Sequence, residues 1–203
     1  VRVVKLGGSL ADWPELPTCL KGLADHGCVI VPGGGPFADQ VREAQHRWRF
    51  DNRTAHDMAL LAMAQFGRML AGLEPRLATA SVPPDLLPAI AQGRSVIWLP
   101  DPAAEDLQAL PASWDVTSDT LAAWLARRIG ATELVLVKSA AVPPGESDLA
   151  RLSAAGLVDR AFPDFAADSA CASWICHREH YQRLRDPLRD APGLWRVGPT
   201  ARN

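Results

Sequence analysis

The sequence predicts an α/β fold built on a mainly parallel sheet. Three observations carry this. Short β-branched runs alternate with stretches of helical periodicity along most of the chain. Two of those runs stop abruptly in glycine clusters, as buried strands do when they feed a helix. No internal repeat or low-complexity tract interrupts the alternation.

Val1–Leu6 is apolar, rich in valine and closed by Gly7-Gly8, which predicts a buried strand and a turn. From Pro14 to His26, leucines at 16, 20 and 23 keep helical spacing, with Gly27 as a stop. Cys28–Pro32 predicts a second strand, broken by Gly33-Gly34-Gly35-Pro36, and a helix runs from Phe37 to His46. Asn52–Leu73 predicts a long helix whose apolar face comprises Met58, Leu61, Met63, Phe66 and Leu70. Ser95–Leu99 and Glu133–Val137 predict strands, with a helix over Ser118–Ile129 between them. Toward the end, Ala172–Cys176 predicts a strand, His177–Leu188 a helix and Leu194–Val197 a closing strand. The proline-rich stretches at 82–88, 100–102 and 143–144 read as loops within one domain.

Composition narrows the function. A chain of 203 residues can bury roughly 70% of its unfolded surface, enough for a core without disulfides or metal. A net charge of −2 lacks the basic footprint of a nucleic-acid binder. No window reaches the ~20 apolar residues of a membrane span. The opening residues read as strand rather than signal peptide, so a cytoplasmic protein is expected. Cys19, Cys28, Cys171 and Cys176 form no Cys-x-x-Cys pair and read as reduced core residues. With His177 and His180, the last two cysteines fit no standard zinc spacing, so no metal site is expected there. The 21 basic residues include only three lysines, Lys5, Lys21 and Lys138. Arginine replaces lysine on most solvated surfaces but not where a compact ammonium is needed, which draws attention to those three positions.

Both glycine junctions fall at carboxyl ends of predicted parallel strands, where ligands bind in open α/β sheets. There, glycine lets backbone N–H groups approach an anion, and the following helix adds its positive end. Neither junction matches a Walker A loop or a dinucleotide fingerprint. Two within 35 residues, one of them preceded by Lys5, nevertheless point to phosphate handling. A third element, Thr117-Ser118-Asp119-Thr120, opens a helix. Thr117 or Ser118 can serve there as N-cap; alternatively, Asp119 faces the glycine loops and orients a lysine.

The succession Lys5-Leu-Gly-Gly-Ser9, Pro32-Gly-Gly-Gly-Pro36 and Thr117-Ser-Asp-Thr120 resembles the amino acid kinase family, in order and over nearly the whole chain. The short length, His56-Asp57-Met58-Ala59 and Gly156-Leu157-Val158-Asp159 look most like the small branch that includes the aminomethylfuranmethanol phosphate kinase of methanofuran biosynthesis. The resemblance implies a three-layer αβα sandwich in a single domain, with residues 1–115 chiefly holding the acceptor and 116–203 the nucleotide. It implies transfer of the γ-phosphoryl group of ATP, with Mg²⁺, to a small phosphorylated substrate, and a homo-oligomer. Lys5 would contact the transferring group and Asp119 would hold Lys5, while Gly7, Gly8, Ser9 and Lys138 would serve the nucleotide. Gly33, Gly34, Gly35, Thr117 and Ser118 would serve the acceptor. UMP and isopentenyl phosphate are alternative acceptors.

This chain also departs from the family's pattern. No Asp-Gly pair follows the strand at 133–137, where the sequence runs from Lys138 through Pro143-Pro144-Gly145. No lysine follows Lys138, and Cys176-His177 stands where relatives often have Asn-Gly. These changes motivate a competing expectation, a binding or regulatory protein that kept the fold. His56 and Asp57 are candidates for acceptor contact or for a solvated helix start. Arg42, Arg47, Arg49 and Arg53 follow the acceptor loop and could read an anionic substrate, but most of them read as a solvated face. The seven tryptophans are expected in the core or at interfaces.

Overall fold

A computed structural model describes residues 1–141, 143, 146–167 and 170–198. The strands are β1 (Arg2–Leu6), β2 (Cys28–Pro32), β3 (Ala78–Ala80), β4 (Val96–Trp98), β5 (Glu133–Lys138), β6 (Ala172–His177) and β7 (Leu194–Val197). They form one sheet in the order β3-β4-β2-β1-β5-β6-β7. All neighbours are parallel except β6 and β7. The helices are α1 (Leu16–Leu23), α2 (Gly35–Trp48), α3 (Asn52–Leu73), α4 (Pro83–Ala91), α5 (Glu105–Gln108), α6 (Ser118–Arg128), α7 (Leu149–Ala154) and α8 (Phe162–Ala167).

Helices cover both faces, which gives the three-layer sandwich. On one face Val3, Val29, Val31, Leu134, Leu136 and Ile175 pack with Leu121 and Leu125 of α6 and Phe162 of α8. On the other, Val4, Leu6, Ile30, Val135 and Val137 pack with Leu16 and Leu20 of α1 and Phe66 and Leu70 of α3. The period of two along a strand sorts these residues. That parity also places Lys5, two residues after Val3, on the α6 face. Lys138, two residues after Leu136, lies on the same face.

β1 lies between β2 and β5, and its last residue, Leu6, is paired with Pro32 and Val137. The two glycine loops and Lys138 therefore emerge side by side at one edge of the sheet. Gly33 N donates to Leu6 O at 2.7 Å. A Cβ on Gly8 would lie 2.3 Å from Gly35 N, and one on Gly33 would lie 2.2 Å from Gly8 N. The two loops touch backbone to backbone, which no larger residue permits at Gly8 or Gly33. Gly35 also takes φ +56°, a conformation natural to glycine.

Several expectations are corrected. The stretch 82–88 is not loop: Pro83 and Pro84 occupy the first turn of α4, where missing N–H groups cost little, and Leu86 is buried. Leu61 of α3 is half exposed, while Leu60 faces the core. After His177 the chain forms a kinked 3₁₀ segment, Arg178–Arg185, instead of an α-helix. Trp48 is 71% exposed, unlike most of the tryptophans. β3, α5, α7 and α8 were not anticipated. Of the loop expected at 143–145, Pro144 and Gly145 lie outside the described residues. The four cysteines are buried, and among the described residues none forms a disulfide. Cys171 packs on the α6 face and Cys176 on the α1 face, so the sheet separates them.

Candidate functional site

A cavity of about 450 Å³ opens at the carboxyl edge of the central strands. That volume suits a small-molecule ligand. Its floor is β1, β5 and the first glycine loop; α2, α3 and the start of α6 form its walls. Of the eleven residues singled out from sequence, Lys5, Gly7, Gly8, Ser9, Gly34, Gly35, Thr117, Ser118 and Lys138 line it. Asp119 is 2% exposed and lies directly behind the two lysines. Gly33 does not line the cavity; its place is the backbone contact with Gly7 and Gly8.

The centre of the site is one carboxylate between two ammonium groups. Lys5 Nζ lies 2.8 Å from Asp119 Oδ1, and Lys138 Nζ donates to Oδ2 at 2.6 Å. Lys5 is 6% exposed, and the Lys138 side chain is 12% exposed. Burial alone would raise the Asp119 carboxyl, but the Lys138 and Lys5 charges outweigh it and hold the group well below the usual carboxylate range. Burial pushes the Lys138 ammonium down, with Lys5 adding to that and Asp119 opposing it. Two ammonium groups thus face the cavity, with the Asp119 carboxylate between them and the Asp159 carboxyl close enough behind to act on both lysines. Beside them, Ser9 Oγ and Ser139 Oγ lie 2.8 Å apart, joining the first glycine loop to the end of β5.

The helix behind this cluster is capped in an unexpected way. Neither Thr117 nor Ser118 caps α6 with its own side chain. Instead Asp159, from the far side of the chain, accepts from Thr117 N at 3.1 Å and from Asp119 N and Thr120 N at 3.0 Å each. Thr117 Oγ1 donates to its other oxygen at 2.5 Å. Asp159 N in turn donates to Asp119 Oδ2 at 3.3 Å. Burial and the neighbouring Asp119 charge raise the Asp159 carboxyl, against the pull of Lys5 and these donors. Asp159 thus fixes the first turn of α6, and with it the carboxylate that holds both lysines. Its position in Gly156-Leu157-Val158-Asp159 was the signal; its role required a contact across about 40 residues.

The opposite wall holds residues that sequence reading placed only loosely. Trp114 lines the cavity, its Nε1 donating to Gln45 Oε1 at 2.7 Å. The Arg42 guanidinium lies 4.4 Å from the centre of its ring and pairs with Asp39 at 3.0 Å. Arg47 stacks on Trp48 away from the cavity, and Arg53 donates to Gln108 O and Leu110 O. Of the four arginines, Arg42 alone lines the cavity. His56 lines it as well, while Asp57 pairs with Arg53 at 3.6 Å.

As a chemical device, this site gathers ammonium groups and glycine amides around one volume. Mg²⁺ finds no ready protein cage in it. Both Asp119 oxygens face ammonium groups, and among the described residues no three His, Cys, Asp or Glu side chains converge. An ion arriving with a nucleotide would rely on phosphate oxygens and water, a common arrangement for this metal.

Comparison with known proteins bears on the family and the fold. A model of the amino acid kinase family matches residues 1–141. The chain is 26% identical over 211 residues to the (5-(aminomethyl)furan-3-yl)methyl phosphate kinase of Methanocaldococcus jannaschii, covering 96% of each protein. Among solved structures it resembles the uridylate kinase of Archaeoglobus fulgidus, with a TM-score of 0.68 and 16% identity over 91% of this chain and 93% of that one. The UMP kinase of Ureaplasma parvum follows with a TM-score of 0.66 and 13% identity over 89% and 91%. The aspartate kinase of Synechocystis gives 0.66 and 15% identity, covering 100% of this chain and 40% of that one. At these identities the structural likenesses speak to the fold.

Proposed function

The chain belongs to the amino acid kinase family, and from that premise we propose that it transfers the γ-phosphoryl group of ATP to the phosphate of a small phosphate ester, with an aminomethylfuran-type phosphate as acceptor. The observation that carries the proposal is the Lys5–Asp119–Lys138 cluster beside the paired glycine loops. Phosphoryl transfer needs little covalent help. It needs the two substrates in line and positive charge around the transferring oxygens.

In this reading a phosphate oxygen of the acceptor forms the new bond to the γ-phosphorus as the bond to the β-phosphate oxygen breaks and ADP leaves. The acceptor oxygen is already anionic at neutral pH, so no proton has to be removed. Lys5 donates to the transferring group, and the amides of Gly7, Gly8 and Ser9 meet the donor phosphates together with Lys138. Gly34 and Gly35 approach the acceptor from the start of α2, Gly33 supporting them from behind. Thr117 and Ser118 close the acceptor side. The acceptor would thus lie mainly on the lobe of residues 1–115 and the nucleotide on that of 116–203. Asp119 serves as a positioning residue: two ammonium groups this close repel, and its carboxylate holds them in one place. Mg²⁺, when bound, supplies further charge neutralisation between the phosphates.

The test is ADP release by the purified protein with the aminomethylfuran phosphate, UMP and isopentenyl phosphate, each with and without Mg²⁺. Turnover with the furan phosphate, lowered on the order of 10²-fold in kcat by Lys5→Ala, is the expected result. Absence of turnover with every acceptor, and of any ATP-induced rise in melting temperature, would favour a non-catalytic binding protein. Activity on UMP but not on the furan phosphate would keep the kinase and discard the acceptor.

A further inference from the structure

One buried polar group of the cavity wall has no partner. Asn52, Ala55, His56, Ala59, Leu60 and Met63 of α3 all line the cavity. Their spacing of three and four residues makes them one face of the helix. Apart from Asn52 at its outer end, that face is apolar except for His56. His56 is 6% exposed, and its Nε2 is fully buried with no hydrogen-bond partner among the described residues. Burial holds the ring below the usual histidine range, with the Arg53 charge acting the same way and Asp57 opposing. A neutral imidazole is one donor and one acceptor, and leaving either unmet in an apolar wall is costly. Such orphans in native proteins call for a reason, and a ligand that supplies the missing partner is one.

We propose that His56 reads a hydrogen-bonding group on the body of the acceptor, so that the substrate is a phosphate ester with a polar heteroatom beyond its phosphate rather than one with an all-hydrocarbon body. This rests on the kinase reading above and deepens it. The phosphate end of the acceptor is served by Lys5 and the glycine loops, and these groups cannot tell one phosphate ester from another. The apolar face of α3 tolerates any flat or aliphatic body. His56 is the polar exception on that wall, and a site built to hydrogen-bond a substrate group rejects an analogue lacking that group far more strongly than a merely hydrophobic pocket does. Trp114, held against α2 by Gln45, presents an aromatic side chain to the same cavity, which suits a ring-bearing body.

The test compares wild type, His56→Leu and His56→Gln in turnover of the aminomethylfuran phosphate, UMP and isopentenyl phosphate, and in melting without ligand. Wild type should prefer a polar-bodied acceptor. In His56→Leu, kcat/KM for that acceptor should fall roughly 10- to 100-fold, mainly through its KM, while the KM for ATP stays within about twofold. Isopentenyl phosphate should be little affected, so the preference narrows. His56→Gln, whose amide reaches near the Nε2 position, should recover part of the loss. Without ligand, His56→Leu should melt at or above the wild-type temperature, because it removes an unmet polar group. An unchanged acceptor preference overturns the inference while leaving the kinase reading intact. A fall of several degrees in the ligand-free melt also overturns it, since His56 would then serve the fold. Failure of all three acceptors overturns the kinase reading, and the ligand-free melt then decides His56 alone.

Discussion

Replacing Asp119 by asparagine keeps the shape of the side chain and removes the one negative charge between Lys5 and Lys138. In the native protein that charge lies 2.8 Å from one ammonium and 2.6 Å from the other, behind a surface that leaves it 2% exposed. The asparagine oxygen can accept from one lysine only, and its NH₂ group then points donors at the other. Two buried cations are left facing each other with no carboxylate in contact, and only the Asp159 carboxyl behind them offsets their charge. Breaking a buried ion pair by removing one partner costs about 3–5 kcal/mol. For a chain of this size each kcal/mol lowers the melting temperature by roughly 2–4 °C, so a fall of about 6–20 °C is expected. Turnover should drop on the order of 10²-fold, because Lys5 no longer has a fixed position.

The sharper readout is the response to anions. Inorganic phosphate or pyrophosphate in the cavity can offset the two ammonium groups from the side opposite residue 119. Added at millimolar concentration, either should raise the melting temperature of Asp119→Asn more than that of wild type, through preferential binding to the folded state. Calorimetry with and without pyrophosphate measures this directly. A variant that melts within about 2 °C of wild type, turns over within threefold and gains no more from pyrophosphate would refute the reasoning. In that case the lysines are held by something other than Asp119.

Four further outcomes follow from the structure. Lys138→Ala should raise the KM for ATP roughly tenfold with a smaller change in kcat, since Asp119 keeps Lys5 as a partner; initial-rate kinetics check this. Gly8→Ala places a Cβ 2.3 Å from Gly35 N and should cost about 1–3 kcal/mol and most of the activity. Gly72→Ala, on the exposed end of α3 with open space around it, should instead stabilise by about 1 kcal/mol in denaturant titration. The folded His56 titrates below the unfolded side chain, so the unfolded chain binds the extra proton. Stability from this group is therefore present above the ordinary value of 6.5 and is lost as pH falls through it toward the folded value. Wild type should show that slope in melting temperature, and His56→Leu should flatten it.

How much of this was legible in the sequence depended on how local the physics was. β1, β2, β4, β5, β6 and β7 could be read because a short apolar, β-branched-rich run is a local pattern, sharpened by a glycine stop after β1, β2 and β7. α3 was bounded correctly at Asn52 and Leu73, yet its inward face was misjudged at Leu61. A helix with apolar residues all round does not say which of them meets the sheet. α4 was missed because three prolines outweighed Leu86 and Ala89, although two of those prolines sit where a helix tolerates them. In the candidate site, Lys5 and the glycines could be singled out because motif and strand-end position coincide, and Asp119 because its motif opens a helix. Asp159 and Trp114 were not, because each acts through a partner some 40 or more residues away. His56 was noticed, but its missing partner is a property of the packed cavity.

The scarcity of lysine takes on a physical meaning here. Arginine has replaced lysine at all but three positions, and two of those three meet at one carboxylate. The replacement fails there for reasons of size and shape. A Cβ on Gly7 would lie 3.1 Å from Lys5 Nζ, so the ammonium already fills the space beneath the loop. A planar guanidinium is wider and presents its donors in a fixed fork, which suits one carboxylate or one phosphate edge-on. The geometry here asks each cation to touch Asp119 on one side and face the cavity on the other, next to a second cation. Three rotatable donors on a point charge can do that. Lys21, by contrast, sits in the last turn of α1, at the negative end of the helix dipole, where an arginine would serve as well. The composition therefore marks the site only because two lysines are confined by a glycine loop and a buried aspartate.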